Sequence, residues 1–438
     1  MMSSAAVAAD AVLRNFELMR CLLEFQDGLY EDTLRFQHLH AQSDEYKTIT
    51  RSYLIGCESL SLNHYDNALV PIFEHLDTVL SPWYAVHGTT RLLRMIASIE
   101  PMHLMALVHA AYFGLQDVMT VLLDAPLPMS TKHTDSLPHL IDLAALNGQL
   151  PMIELLTTQH MSSASKDAMD LAARNGHVGV VRFLHFHREE GCSSYAMLHA
   201  ASRGHLPVVE FLHRFREETH SDAFVSAAAA GHVAVVRYFH ENHLPGCTTR
   251  AMDLAARGGH LDVVQFLHHH RPEGCTSTAM DLAAKNGHLE VVQFLHRHRK
   301  EGCTTLAMDG AVSNGHLQVV RFLHLRRTEG CTKYAMDNAA QHGHLHVLRF
   351  LHEHRQEGCT TSAMDRAASY GRLEVVQFLH EHRHEGCTAR ALEMAARNGH
   401  MDVVQFLATR RHEGDIVSSI GHARQNGHAA IVAYLESL

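Results

Sequence analysis

A glycine returns every 28 residues along most of this chain, at Gly148, Gly176 and Gly204, then at Gly231, Gly259, Gly287, Gly315, Gly343, Gly371, Gly399 and Gly427, with only the step to Gly231 shortened to 27. Around it recurs the pattern G-C-T-T-x-A-M-D-x-A-A-x-N-G-H-L-x-V-V-x-F-L-H-x-H-R-x-E. A poorer twelfth copy, Ala106 to Leu123 around Gly114, precedes the first by 34 residues. A unit this short cannot bury its own apolar face, so only stacking on its neighbours completes a core. The chain therefore reads as a solenoid, whose core grows in one dimension, and a length of 438 residues is no argument for several globular domains.

The copy from Cys275 to Gly302 predicts two helices. Thr276 or Ser277 caps helix A, Asp281 falls in its first turn where the helix dipole favours negative charge, and Ala279, Ala283 and Ala284 let a neighbouring helix come close. Asn286-Gly287 ends it, because glycine reaches the left-handed conformation without steric cost. Helix B carries Leu289, Val291, Val292, Phe294 and Leu295 on more than one side, as a helix packed on several neighbours must. Glu301-Gly302 turns into the next copy, and no strand-like alternation appears. The fold class is all-α.

These residues resemble the ankyrin repeat. The family's T-P-L-H-x-A-A-x-x-G-H-x-x-V-V-x-L-L falls on Thr278 to Leu295, and the likeness runs through about twelve copies, residues 101–438. At 28 residues the repeat is shorter than the family's usual length of about 33. The missing residues come from the connection between helix B and the next helix A, which leaves a tight turn in place of the family's β-hairpin finger, except across Asp124 to Ser136, where a finger has room. The family's Pro and His are replaced by Ala279 and Asp281, which removes the histidine of its usual hydrogen-bond ladder. The last copy, with Asp415 for Cys and with Ser418, Ser419, His422, Arg424 and Gln425 on helix A, reads as a polar C-terminal cap.

Residues 1–100 lie outside the repeat and carry helical stripes: Val12, Leu13, Phe16, Met19, Leu22 and Leu23, closed by Asp27-Gly28; then Leu34, Phe36 and Leu39; then Ile72, Phe73 and Leu76; then Leu92, Leu93 and Ile96. They read as a helical N-terminal region or cap. The sharper alternative is an F-box-like adaptor to a ubiquitin ligase, against which stands the absence of that motif's leading Leu-Pro.

Histidine is the compositional anomaly, with 41 in a chain of net charge −10. The negative charge offers no basic stripe for nucleic acid, and no window is apolar enough to span a membrane. No signal-like start precedes the first stripe, so an intracellular, cytoplasmic protein is expected. The recurring H-x-H-x4-C, as in His296, His298 and Cys303, invites a metal-binding reading. Histidines two apart on a helix diverge by about 200°, and helices in neighbouring repeats lie about 8–10 Å apart, too far to share ligands, so no metal or other cofactor is expected. The same spacing keeps seven of the nine cysteines apart as free thiols that pack at the turn.

The F-L-H histidines, such as His296, continue the apolar stripe of helix B and are expected to be half-buried, neutral and locally hydrogen-bonded; a pH sensor is the alternative. Those of Gly-His, such as His288, are expected on the backbone at the turn between helices. A nucleophile and base repeated in every copy would make a row of active sites, so no catalytic residue is assigned.

Function is then expected to reside where near-identical copies differ. Those positions precede Ala-Met-Asp (Tyr195, Arg250, Leu306, Tyr334 and Arg390) and Gly-His (Arg257, Lys285, Gln341, Tyr370 and Arg397). The resemblance implies that they face a protein partner, which makes the chain a non-enzymatic, monomeric interaction scaffold.

Overall fold

A computed structural model describes residues 70–98, 102–124, 139–159 and 164–438. They form 26 α-helices and no strand among the described residues, and from residue 102 on these come in the helix pairs of a helical-pair solenoid. The chain divides into two compact bodies, residues 1–220 and 221–438. The stripes from Val12 to Leu39, the side chain of Ile72 and the long connection at 125–138 lie outside the described residues.

In the second body, helix A of one repeat runs Ser277–Lys285 and helix B Leu289–His298. Thr276 caps helix A by accepting from Thr278 N–H at 3.2 Å. The helix ends in a Schellman closure, with His288 N–H on Ala283 O at 2.9 Å and Gly287 N–H on Ala284 O at 3.1 Å. Gly287 there has φ +82°, and a Cβ on it would come within 2.7 Å of the ring of His316 in the next repeat. Glycine is thus demanded twice, by the backbone and by the neighbour. Helix B stops where Arg299 turns to extended backbone, and Gly302, at φ +72°, reverses the chain toward the next helix A.

Ala279, Met280, Ala283 and Ala284 from helix A meet Val291, Val292 and Leu295 from helix B in a fully buried layer. Helices A of adjacent repeats lie against one another much more closely than helices B, because the facing positions are alanine. Phe294 is only half-buried, since its faces take histidine rings rather than aliphatic core.

In the first body, helices Val70–His87 and Leu92–Ser98 pack on Met102–Phe113. Phe73, Leu76, Leu92 and Ile96 are buried as their stripes require, whereas Leu93 is exposed. His109, fully buried, bonds Asp77 at 3.1 Å and so ties the first of these helices to the helix pair.

Candidate interaction face

The repeated polar residues join one repeat to the next. Asp281 is not in the first turn of its helix, as the dipole argument expected, but one turn further in, buried and turned toward the next repeat. Its two carboxylate oxygens accept from the N–H (2.7 Å) and hydroxyl (2.8 Å) of Thr304, which in turn caps its own helix on Leu306 N–H. The same bidentate joint binds Asp253 to Thr276, Asp309 to Thr332, Asp337 to Thr360 and Asp365 to Thr388. In the first body it binds Asp142 to Ser165 and Asp170 to Ser193. Replacing the family's histidine by aspartate therefore substitutes one ladder for another. Burial pushes Asp142 and Asp170 up to about 6, against the hydrogen bonds from the serines.

The Gly-His histidines contact the backbone as expected, but that of the preceding repeat. His288 Nε2 donates to Arg257 O at 3.1 Å and His400 Nε2 to Ser369 O at 3.0 Å. Asn286 and Asn398 donate to the same two carbonyls at 2.8 Å. Helix C-terminal carbonyls that would be left without donor partners are thus closed from the next repeat.

The F-L-H histidines correct the expectation of local hydrogen bonding. The rings of His185, His240, His268, His296, His324, His352 and His380 stand edge-on to the phenylalanine of the following repeat, His268 to Phe294 at 5.5 Å and 87°, His324 to Phe350 at 5.5 Å and 89°. Nδ1 of His268, His296, His324 and His352 is buried without a partner, and at His380 Arg411 donates to it, at 3.4 Å. Burial, and after it neighbouring cations that include the arginine of the next repeat, lower the pKa of His268, His296 and His324. These rings are neutral at pH 7.

The second histidine of H-x-H stacks on its own phenylalanine, as His354 does on Phe350 at 4.4 Å, with Nδ1 on the Phe350 carbonyl. Histidines of adjacent repeats consequently meet, His268 with His298 at 5.5 Å between ring centres, closer than the helix spacing from which shared metal ligands were argued against. Ring length closes the gap that backbone distance leaves open. No group of three or more His, Cys, Asp and Glu among the described residues is placed to hold a metal.

The cysteines form the third joint. The Arg355–Glu357 pair lies over Gly330, where Glu357 accepts from Cys331 N–H at 3.4 Å. Burial, and after it the carboxylate, raises the Cys331 thiol to about 12. Burial works to raise Glu357, but the bonds from Arg355 and from backbone N–H groups outweigh it and hold the carboxyl down at about 2. Cys192, Cys275, Cys359 and Cys387 are buried, Cys247, Cys303 and Cys331 half-buried, and none of these seven is in a disulfide. Cys21 and Cys57 lie outside the described residues.

With the recurring residues engaged in joints, one face of helix A is left outward. On Thr249–Gly258 the non-buried positions after the first residue are Arg250, Leu254, Arg257 and Gly258, spaced as one helical stripe. Tyr195, Leu306, Tyr334 and Tyr370 are 51, 64, 66 and 53% exposed, and Arg250, Arg257, Lys285, Arg390 and Arg397 are exposed as well. Gln341 is half-buried, because Arg366 of the next repeat reaches back to it (3.3 Å) and to Asn338 (2.9 Å). The comparison of copies missed the centre of the stripe: Leu254, Leu282, Gly310, Asn338, Arg366 and Met394. Their variation between repeats was the available signal. On helix B, Arg297 is exposed and Gln293 is half-buried.

Compared with known families, residues 252–337, 310–391 and 336–419 match the model described as Ankyrin repeats (3 copies), and residues 224–268 that described as Ankyrin repeats (many copies). No curated protein matches the chain as a relative. No described helix is long and apolar enough to cross a membrane.

Proposed function

Because this chain carries ankyrin repeats, we propose that it is a non-enzymatic, monomeric scaffold that holds a protein partner along the outward stripe of helices A. Ankyrin repeats generally mediate protein–protein interaction. One observation carries the reading to this face: the residues that recur in most repeats are engaged in joints between repeats, while the outward positions of helix A differ from copy to copy and remain exposed or half-buried. The abundant His, Cys and Asp side chains have structural work at those joints, which supports a binding rather than a catalytic role. Tyrosine and arginine, the side chains that most often dominate protein interfaces, supply the first residues to test.

A photo-crosslinking side chain placed at Leu306 or Tyr334 on helix A, and at Arg297 on helix B, tests this in cells. Crosslinked protein from the helix A positions is expected, with capture weakened by Tyr334→Ala, Tyr370→Ala and Arg390→Ala at unchanged melting temperature. Capture from Arg297 alone overturns the assignment.

A further inference from the structure

The outward stripe carries one sign of charge. Between residues 249 and 398 the exposed charged side chains of helices A are Arg250, Arg257, Lys285, Lys333, Arg366, Arg390 and Arg397, all cationic. The acidic residues of the same helices, Asp253, Asp281, Asp309, Asp337, Asp365 and Glu393, stand at the single position turned toward the following repeat, and the five aspartates are bonded there. Only Arg250 of the seven has a carboxylate partner, Asp222 at 3.5 Å, while Arg366 bonds the neutral Asn338 and Gln341. Helix B differs. Its exposed charges are of both signs, as Glu290 and Arg297, Arg321 and Arg326, Arg349 and Glu353, Glu374 and Glu381, and Asp402 and Arg410.

In a chain of net charge −10, a row of unneutralised cations on one face is a local reversal rather than a bulk property. Between the cations stand apolar side chains, Leu254 and Leu282 half-buried, Leu306, Tyr334 and Tyr370 exposed.

Resting on the function proposed above, we infer that the occupant of this face is an acidic polypeptide segment in which carboxylates are interleaved with apolar side chains. Guanidinium and ammonium groups supply charge-assisted bonds to carboxylates, and electrostatic complementarity speeds the encounter and rejects basic partners. Leucines at the stripe's centre suit a peptide's apolar side chains and have no counterpart in a sugar-phosphate backbone. The overall negative charge also repels a dense polyanion at long range, which favours a peptide over a single-stranded nucleic acid.

Two fluorescent probes test the inference on the full chain, a peptide of alternating Glu and Leu and a single-stranded oligonucleotide of equal formal charge. The peptide is expected to bind the more tightly and to weaken with salt. The triple variant Arg257→Gln, Lys285→Gln, Arg397→Gln is expected to lose about tenfold or more in peptide affinity. The helix B triple Arg297→Gln, Arg326→Gln, Arg349→Gln is expected to stay within about twofold, its charges lying off the face. Melting temperatures equal to the parent chain exclude unfolding, and if the helix A triple melts early, Arg397→Gln alone takes its place.

Tighter binding of the oligonucleotide, no binding of the peptide, or equal losses in the two triples overturns the inference. If crosslinks from a cellular partner still arise at Leu306 and Tyr334, the helix A reading survives that failure; if they arise only at Arg297, both fall.

Discussion

Five consecutive joints of the second body are built alike, and the two that flank them are not. From Asp253 to Thr388 each joint has an aspartate on a threonine N–H and hydroxyl. At the preceding joint Val225 holds the aspartate's place, and Thr248, 23 residues on, makes no side-chain cap bond. At the following joint Glu393 holds the aspartate's place and Ile416, which has no hydroxyl, the threonine's, while Asp415 caps its own helix on Val417 and Ser418 N–H. The difference teaches that the helix pair does not depend on the ladder, since helices form on both sides of Val225. What the aspartate adds is a link between the packing of one repeat and the capping of the next.

The largest effect is expected from Gly287→Ala, within the regular joints. A left-handed alanine costs about 1–2 kcal/mol, and displacing the His316 ring loses packing and a hydrogen bond besides, for a total of about 3 kcal/mol by chemical denaturation. A loss under about 1 kcal/mol would mean that adjacent repeats are not in register contact at this turn.

Asp337→Ala is expected next, at about 2 kcal/mol, because the N–H and hydroxyl of Thr360 lose the acceptor that the fully buried Asp337 supplies. Glu393→Ala, at the joint without the ladder, is expected within about 0.5 kcal/mol. Equal losses at the two positions would break the comparison between regular and flanking joints.

Acidification is expected to weaken the regular joints on their helix B side. His268, His296 and His324 have folded pKa values below the unfolded value of about 6.5, chiefly through burial. Their contribution is therefore full above that pH and is lost as the pH falls toward the folded value. Asp309, raised by burial, acts in the opposite sense, favouring the fold as its carboxyl takes up a proton. Hydrogen exchange of helices 261–270, 289–298 and 317–326, corrected for intrinsic rates, should show lower protection at about pH 5.5 than at about pH 7.5. Unchanged or higher protection contradicts the histidine assignment.

The smallest effect sharpens the comparison directly. Val225→Asp should supply Thr248 with its missing acceptor, and a gain of up to about 1 kcal/mol is expected once the cost of burying the carboxylate is deducted. Slower exchange at Arg250 and Ala251 N–H is the accompanying sign. A loss above about 2 kcal/mol would show that this joint's geometry, and not only its sequence, departs from the regular one.

Much of this was legible before the structure. The glycine interval, the alanines of helix A and the Val-Val-x-Phe-Leu stripe specify helical pairs and their stacking, because period, cap and apolar face are properties of neighbours along the chain. The cap at Thr276 and the turns at Gly287 and Gly302 follow from the same local rules. Asp281 was misread, since a first-turn role was judged from its own helix while its partner is 23 residues away. The F-L-H histidines were misjudged for a related reason: local hydrogen bonds were expected from their own helix, while their rings meet the phenylalanine of the following repeat.

The sequence by itself determined that this chain repeats, where each helix starts and stops, and which positions vary among the copies, all of which depend on local stereochemistry and on the count between residues. Only the tertiary structure decided what the conserved-looking polar residues bond to and which variable positions stay in the open. A hydrogen bond or an edge-on ring is settled by the distance across a joint, and that distance is set by alanine-lined helices pressed together rather than by any residue's neighbours in sequence.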